Sequence, residues 1–377
     1  MLYDALVIGA GQAGLSAGYY LQQSGLSFLI LEAGGEPAGS WPHFYDSLKL
    51  NTPARFSSLP GLPFPGDPRR YPLRDEVVGY LRAYATLFRL PIATCTRVRS
   101  VSRLGRSFRV QTEDGRTYTA RTLVAATGFF GRPYRPRLPG QELFAGQLLH
   151  TAEYRRPEPF VGKRVVIVGA GNGAVQIGVE LASVANVTLA TRAPIRTLPQ
   201  RLLGQDVHLW LSLTGLDDTQ WLGNRTAPVY VSAPERAALR AGAPDRRPMF
   251  ERLSERGVVW AHGEGETVDA VVLATGYRPS LPFLAGVDAF DAEGGVLHQL
   301  GVSTSVPGLY YVGLPRQSSA ASATLRGVGV DARRITAHLA AYLEAQAAAA
   351  NRRSERRRVA RRGLMALAAT LPLHHAL

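Results

Sequence analysis

The sequence predicts an α/β protein built from two dinucleotide-binding (Rossmann-like) units, the second inserted in the first. Three observations predict it. Two glycine fingerprints, Gly9-Ala10-Gly11-Gln12-Ala13-Gly14 and Gly169-Ala170-Gly171-Asn172-Gly173-Ala174, begin at positions 9 and 169. Each ends an apolar strand pattern and opens a helix pattern, the context that gives such a glycine run its meaning. After the second unit the chain returns to one more strand and one more helix pattern.

In chain order, Leu6-Val7-Ile8 ends a buried strand, and residues 13–23 read as a helix stopped by Ser24-Gly25. Residues 27–31 form the second strand and run into Glu32. Residues 40–75, rich in proline, serine and aromatics, read as a long ordered loop region, a kind of segment that usually carries function. Helical periodicity covers 76–88. Segments 98–101, 108–111 and 118–124, with a Glu113-Asp114-Gly115 turn, read as an antiparallel meander leading into Ala126-Thr127-Gly128. The second unit has a strand at 164–168, a helix at 174–184 and a strand at 187–190. Residues 204–250 are poorly patterned. A strand at 268–273 precedes Ala274-Thr275-Gly276-Tyr277, and the chain ends through a strand at 309–312 and a helix from 330 to about 350. The expected domains are 1–158 with 272–350, then 159–271, and a basic tail, 351–377, whose apolar end (364–373) can dock on a partner or on the protein itself.

Composition bounds the class. The 377 residues suffice for two or three domains, and 46% hydrophobic with 19% charged residues is ordinary for a soluble protein. No apolar run approaches the roughly 20 residues that span a bilayer. The first strand begins almost at Met1, leaving no room for a cleavable leader, so a cytoplasmic location is expected. Cys95 is the one cysteine. That excludes an intrachain disulfide and a Cys-x-x-Cys redox pair, and with it the disulfide reductases that also carry two nucleotide motifs. Its apolar surroundings in sequence predict a buried, inert thiol. The net charge of +14 is partly local: Arg352, Arg353, Arg356, Arg357, Arg358, Arg361 and Arg362 crowd one segment against Glu355. Only Lys49 and Lys163 are lysines, a skew that reads as composition bias and a solvated tail, with no specific nucleic-acid surface. The histidines show no metal-ligand spacing.

Within the first fingerprint Gly9 permits the tight turn, Gly11 lets backbone approach a pyrophosphate, and Gly14 lets helix and strand pack closely. The helix start offers free N–H groups and partial positive charge to phosphates. A carboxylate at Glu32 suits a ribose diol and repels a 2′-phosphate, so this site fits the adenosine of FAD or NAD. The second fingerprint carries Ala174 at its third position, and its second strand is followed by Thr191-Arg192. A guanidinium there pairs with a 2′-phosphate, which assigns NADPH to Gly169, Gly171, Asn172, Gly173, Ala174, Thr191 and Arg192. The small-Thr-Gly turns let backbone lie close to a cofactor or cross between domains, so Thr127 and Gly128 join the first site and Thr275 and Gly276 the second.

The segment Phe144-Ala145-Gly146-Gln147-Leu148-Leu149-His150-Thr151-Ala152-Glu153-Tyr154 resembles the signature of flavin-containing monooxygenases, Phe-x-Gly-x-x-x-His-x-x-x-(Tyr/Phe), and lies just before the second fingerprint, as in that family. Related Baeyer–Villiger enzymes typically carry tryptophan where this chain has Tyr154. Gly39-Ser40-Trp41, Leu48-Lys49-Leu50-Asn51-Thr52-Pro53, Gly313-Leu314-Pro315-Arg316-Gln317 and Leu325-Arg326-Gly327-Val328-Gly329 extend the likeness, which covers residues 2–345 and is greatest to short bacterial members: indole-pyruvate-monooxygenase relatives and the flavoproteins found with metal- and arsenic-resistance systems.

The resemblance implies a glutathione-reductase-like architecture. It implies FAD at Gly9, Gly11, Gln12, Ala13, Gly14, Glu32, Ser40, Trp41, Asn51, Val98, Thr127, Gly128 and Gln317. It further implies hydride transfer from NADPH to FAD, a flavin hydroperoxide, and transfer of one oxygen atom from dioxygen to a small soft-nucleophile or carbonyl substrate. Asn51 is the expected hydrogen-bond partner at the reacting flavin. His150 is expected to link the domains and not to act as a base. The alternative is an NADPH oxidase or reductase passing electrons from flavin to oxygen, a quinone, a metal or a partner protein. Trp41, Trp210 and Trp221 are candidates for lining a pocket or filling core. Substrate identity and oligomeric state, a dimer included, stay open.

Overall fold

Apolar, β-branched runs that lie between glycine turns and helices become the central parallel strands of two sheets, the first mixed and the second all parallel. The computed structural model describes residues 1–215 and 228–369, with side chains as far as 352. Trp221, the side chains of Arg353 to Arg362 and the chain end beyond 369 lie outside the described residues. In the first sheet Leu2–Ile8 pairs in parallel with Phe28–Leu31 on one side and Thr117–Ala125 on the other. Leu309–Tyr311 then adds in parallel to Thr117–Ala125, which returns the end of the chain to the first sheet. The strand Ile92–Ala93 forms one edge, and His298–Gln299 the other.

Ala5 and Val7 point into one core cluster, and Leu6 and Ile8 into the other, the two-residue alternation of a sheet buried on both faces. Helices α1 (Gln12–Gln23) and α6 (Val328–Ala369) cover the first face. The meander is present as Val98–Leu104, Ser107–Thr112 and Thr117–Ala125. Its last strand is long enough to serve both as the meander's end and as a central parallel strand.

The second sheet has the order Asp245–Pro248, Asn186–Thr191, Arg164–Val168, Ala270–Leu273, Gln147–His150, all parallel. Two expectations change here. Residues 147–150, assigned to the first unit by a boundary at 158, hydrogen-bond with Ala270–Leu273 in the second sheet. The boundary at 272 falls inside the strand Ala270–Leu273. The strand therefore belongs with the sheet it pairs with, because its backbone donors and acceptors are satisfied there.

The region 204–250 is more regular than its pattern suggests. It contains α4 (Val207–Thr214), the strand Val229–Val231, α5 (Ala233–Arg240) and the strand Asp245–Pro248. Asp206 caps α4 by accepting from the His208 N–H at 2.8 Å, and Ser232 and Glu235 form a reciprocal capping box on α5. Helix α6 continues past residue 350 through the arginine-rich segment to Ala369. Cys95 is exposed, at a left-handed backbone position (φ +49°), and not buried as its neighbours in sequence predict. Residues 40–75 are mainly irregular, with short helical turns at Trp41–His43 and Ala54–Phe56, while α2 (Arg74–Leu87) begins at the region's end.

Candidate active site

The two fingerprints build equivalent turns. Gly9 (φ +103°) lies against the Ala126 carbonyl, where an added Cβ would come within 2.8 Å of the oxygen. Gly169 (φ +149°) lies against the Ala274 carbonyl, where a Cβ would approach to 2.3 Å. Each small-Thr-Gly turn therefore abuts the first fingerprint glycine of its own unit, and Gly128 and Gly276 turn the chain with φ of +67° and +80°. Gly14 has a different task. A Cβ there would sit 1.8 Å from the Gly9 carbonyl oxygen, so its absence lets α1 close on the turn.

Both fingerprint helices open toward a ligand. The N-caps of α1 and of α3 (Asn172–Leu181) are Gly11 and Gly171, and neither has a side-chain cap. A Cβ at Gly171 would meet nothing within 4 Å. By contrast α4 and α5 are capped by their own side chains. Uncapped N–H groups facing open space fit a pyrophosphate at each of the two sites.

The first cavity, of about 500 Å³, is lined by Gly9, Gly11, Gln12, Ala13, Glu32, Ser40, Val98, Thr127 and Gly128 of the expected set. Glu32, 6% exposed, accepts from the Ala10 N–H at 2.5 Å and from the Gly34 N–H at 2.8 Å. It thus braces the fingerprint turn, and its carboxylate keeps acceptor capacity for a diol. Sequence reasoning missed Arg97, Arg99, His43 and Ala323, which also line this cavity, as does Gly313 of the segment that extended the family likeness. The alternation Arg97-Val98-Arg99 was the available signal. Four members of the expected set lie elsewhere, Asn51 among them in the third space described below. Gly14 packs under the turn. Trp41 lies off this cavity, its indole N–H donating to Gln12 Oε1 at 2.9 Å. Gln317 is buried at 2% exposure, its Oε1 accepting from the Leu314 N–H at 3.3 Å, and it does not line the cavity.

The second cavity, of about 1090 Å³, is lined by Gly169, Gly171, Thr191, Arg192, Thr275 and Gly276. Arg192 is exposed and has no ion pair among the described residues. Arg196 and Met249 line the same cavity, and Arg246 holds Thr191 by donating from Nε to Oγ1 at 2.8 Å, three residues that sequence reasoning missed. Asn172, Gly173 and Ala174 face a different space.

That space is a third cavity of about 380 Å³ where the units meet. Trp41, Phe44, Phe129, Phe130 and Tyr277 give it aromatic walls, and Asn51 lies in its lining beside Gly171–Ala174. The walls are mutually packed: Phe44 on Phe130 at 5.0 Å and Phe130 on Tyr277 at 5.1 Å between ring centroids. Of the other two tryptophans in question, Trp210 is half-buried on α4 and donates to the Leu202 carbonyl at 3.1 Å. Trp221 lies outside the described residues.

A short relay orients Asn51. Burial pushes the Tyr45 phenol well above its ordinary range, so it stays protonated and donates to Gln176 Oε1 at 2.7 Å. Gln176 Nε2 then faces the Lys49 carbonyl at 3.2 Å, which can only accept, and the same nitrogen donates to Asn51 Oδ1 at 3.0 Å. The Asn51 Nδ2 donors are left without a protein acceptor among the described residues, in a residue that lines the chamber.

His150 is fully buried. Its Nδ1 accepts from the Ala152 N–H at 3.0 Å, so Nε2 carries the proton and donates to the Gly276 carbonyl at 3.0 Å. Burial, with Arg135 nearby, lowers its pKa. The imidazole is a neutral brace on the second small-Thr-Gly turn. Tyr154 is likewise buried, donating to Glu180 Oε2 at 2.7 Å.

Known proteins with this arrangement agree on its class. The family described as pyridine nucleotide-disulphide oxidoreductase matches residues 6–212. A CzcO-like oxidoreductase of Geobacillus kaustophilus is 36% identical over 340 residues, covering 88% of this chain and 96% of its own. The indole-3-pyruvate monooxygenase YUCCA4 of Oryza sativa subsp. japonica is 31% identical over 383 residues, covering 88% and 86%. The structure of a flavin-containing monooxygenase from Stenotrophomonas maltophilia superposes with a TM-score of 0.82 at 38% identity, covering 91% of this chain and all of that one. The chain belongs to the pyridine nucleotide-disulphide oxidoreductase family and, within it, to the flavin-containing monooxygenases. It is a flavoprotein oxidoreductase with FAD and NADPH as its cofactors. Among the described residues no helix is long and apolar enough to cross a membrane.

Proposed function

We propose that the chain is an NADPH-dependent monooxygenase that transfers one atom of dioxygen to a small soft nucleophile or carbonyl compound, with FAD in the first cavity and NADPH in the second. One observation carries the reading. The aromatic chamber shares Phe129 and Phe130 with the first cavity and Gly171, Ala274 and Gly276 with the second, so the two nucleotide sites adjoin one space. When bound, FAD supplies two-electron acceptance from NADPH and activation of dioxygen. The residues do the rest. Gly11 and Gly171 present backbone donors to the two pyrophosphates. Arg192 pairs with the 2′-phosphate. The aromatic walls exclude water from the reacting centre, and Asn51, held by Gln176, offers its Nδ2 donors to oxygen there.

The test is turnover under ¹⁸O₂ with FAD-loaded protein and NADPH, offering thioethers and ketones. One labelled oxygen atom in the product is the expected result. NADPH consumption with hydrogen peroxide as the sole oxygen product across both substrate classes would favour the oxidase reading instead.

A further inference from the structure

A further cavity, of about 530 Å³, lies between the two units and shares no lining residue with either nucleotide cavity. Lys49 and Tyr71 line it from the first unit's 40–75 loop. Arg201 lines it from the hairpin of Arg201–Leu202 and Gln205–Asp206, and Arg236 and Arg240 line it from α5. No carboxylate is in the lining, and no ion pair of the described residues includes any of these four cations. Elsewhere the arginines of this chain find partners: Arg70 with Glu76, Arg74 with Asp46, Arg164 with Glu266.

The acids nearby are already engaged. Asp206 accepts from the Tyr71 hydroxyl at 2.6 Å and from the His208 N–H at 2.8 Å. Glu235 accepts from the Ser232 N–H at 2.7 Å, which closes the start of α5, so side-chain cations and not a bare helix end make this site. Arg236 and Arg240 stand four residues apart on one helix, a like-charge pair that is unfavourable without a counter-charge. A second observation comes from Gln200, which lines the same cavity at 4% exposure and whose amide nitrogen has no acceptor. A buried donor in that state costs stability until an acceptor meets it. Four cations drawn from both units, with no acid among them, are the complement of a multiply charged oxyanion.

We propose that this cavity is a binding site for a phosphate-class oxyanion, free or as the phosphoryl group of a small ester, and that the bound anion bridges Lys49 of the first unit to the arginines of the second. Four positive charges match a dianionic tetrahedral group. The anion is not a substrate: it ties the loop that carries Lys49 to α5 and so stabilises the docked arrangement of the two units.

The test uses the FAD-loaded full chain in excess NADP⁺, so that both fingerprint sites are filled. Sodium phosphate and glycerol 3-phosphate are titrated by calorimetry and by thermal unfolding, against sodium chloride of equal ionic strength. Phosphate is expected to bind at one site per chain and to raise Tm by about 3–6 °C near saturation. Arg236→Gln with Arg240→Gln is expected to weaken it at least about tenfold and to erase the rise in Tm. Arg106→Gln with Arg109→Gln, which takes the same charge from the meander, is expected to leave both unchanged. Lys49→Met is expected to weaken binding about tenfold as well. Tighter binding of the ester than of phosphate supports a phosphorylated small molecule as the occupant, and the reverse supports the free ion. No effect beyond that of chloride, or binding that survives the loss of Arg236 and Arg240, overturns the site. Full affinity in Lys49→Met overturns the bridge between the units. Neither readout involves turnover, so failure of oxygen transfer would leave this result unaffected.

Discussion

Arg192 follows the strand Asn186–Thr191 with no ion pair among the described residues, in a cavity that begins at a fingerprint turn. If its guanidinium pairs with a 2′-phosphate, its loss removes a charge-assisted bond of about 2 kcal/mol. Arg192→Ala should therefore raise KM for NADPH roughly thirtyfold and leave NADH little changed, as steady-state kinetics with both nucleotides would show. Equal losses would remove the 2′-phosphate assignment. His150 makes a pH prediction. Its folded pKa lies below the unfolded value of about 6.5, so the unfolded chain binds the extra proton first. Its contribution to stability is full above about pH 6.5 and is lost as pH falls through the folded value. The Tm difference between the wild type and His150→Gln should narrow from pH 8 to pH 5; a constant difference would contradict a buried neutral imidazole. The placement of Gly9, Glu32 and Arg192 around the fingerprint turns was legible in the sequence. The contacts of Tyr45 and Gln176 were not, because they form only after distant segments dock.

At the scale of elements, α1 and α3 start at the fingerprint glycines with no side-chain cap, and this is why the fingerprints could be read directly. Their third positions are not equivalent. Ala174 carries a Cβ and is buried at 1% exposure, whereas a Cβ at Gly14 would collide with the Gly9 carbonyl. Gly14→Ala should cost about 2–4 kcal/mol, lower the urea midpoint and weaken FAD retention. An unchanged midpoint would show that the turn relaxes freely. Elements that the sequence concealed have local causes too. The Ser232-Ala233-Pro234-Glu235 run was a readable capping box inside a segment lacking apolar periodicity. The strand Gln147–His150 was unreadable as part of the second sheet because its partner, Ala270–Leu273, lies far along the chain. Cys95 misled because an apolar sequence neighbourhood does not decide exposure at a turn.

Across the whole molecule, insertion of one unit in the other allows two nucleotide sites to share a chamber. The return of Leu309–Tyr311 to the first sheet closes that unit around the insertion. Hydrogen bonds from Tyr45 to Gln176 and from Gln176 to Asn51, with Phe130 against Tyr277, join the units at the chamber itself. The insertion was legible from the order of the motifs, but the contents of the shared space were not, since they come from loops of both units. The central claim, that the chamber is where oxygen is transferred and Asn51 serves it, is tested most directly by comparing the wild type and Asn51→Ala in one stopped-flow experiment. The rate of flavin bleaching by NADPH and the hydrogen peroxide released per NADPH on mixing with oxygen and substrate are both read. The account predicts bleaching within about twofold of wild type and peroxide release rising to most of the NADPH consumed. Unchanged peroxide release, or bleaching that falls as far as coupling does, would contradict it.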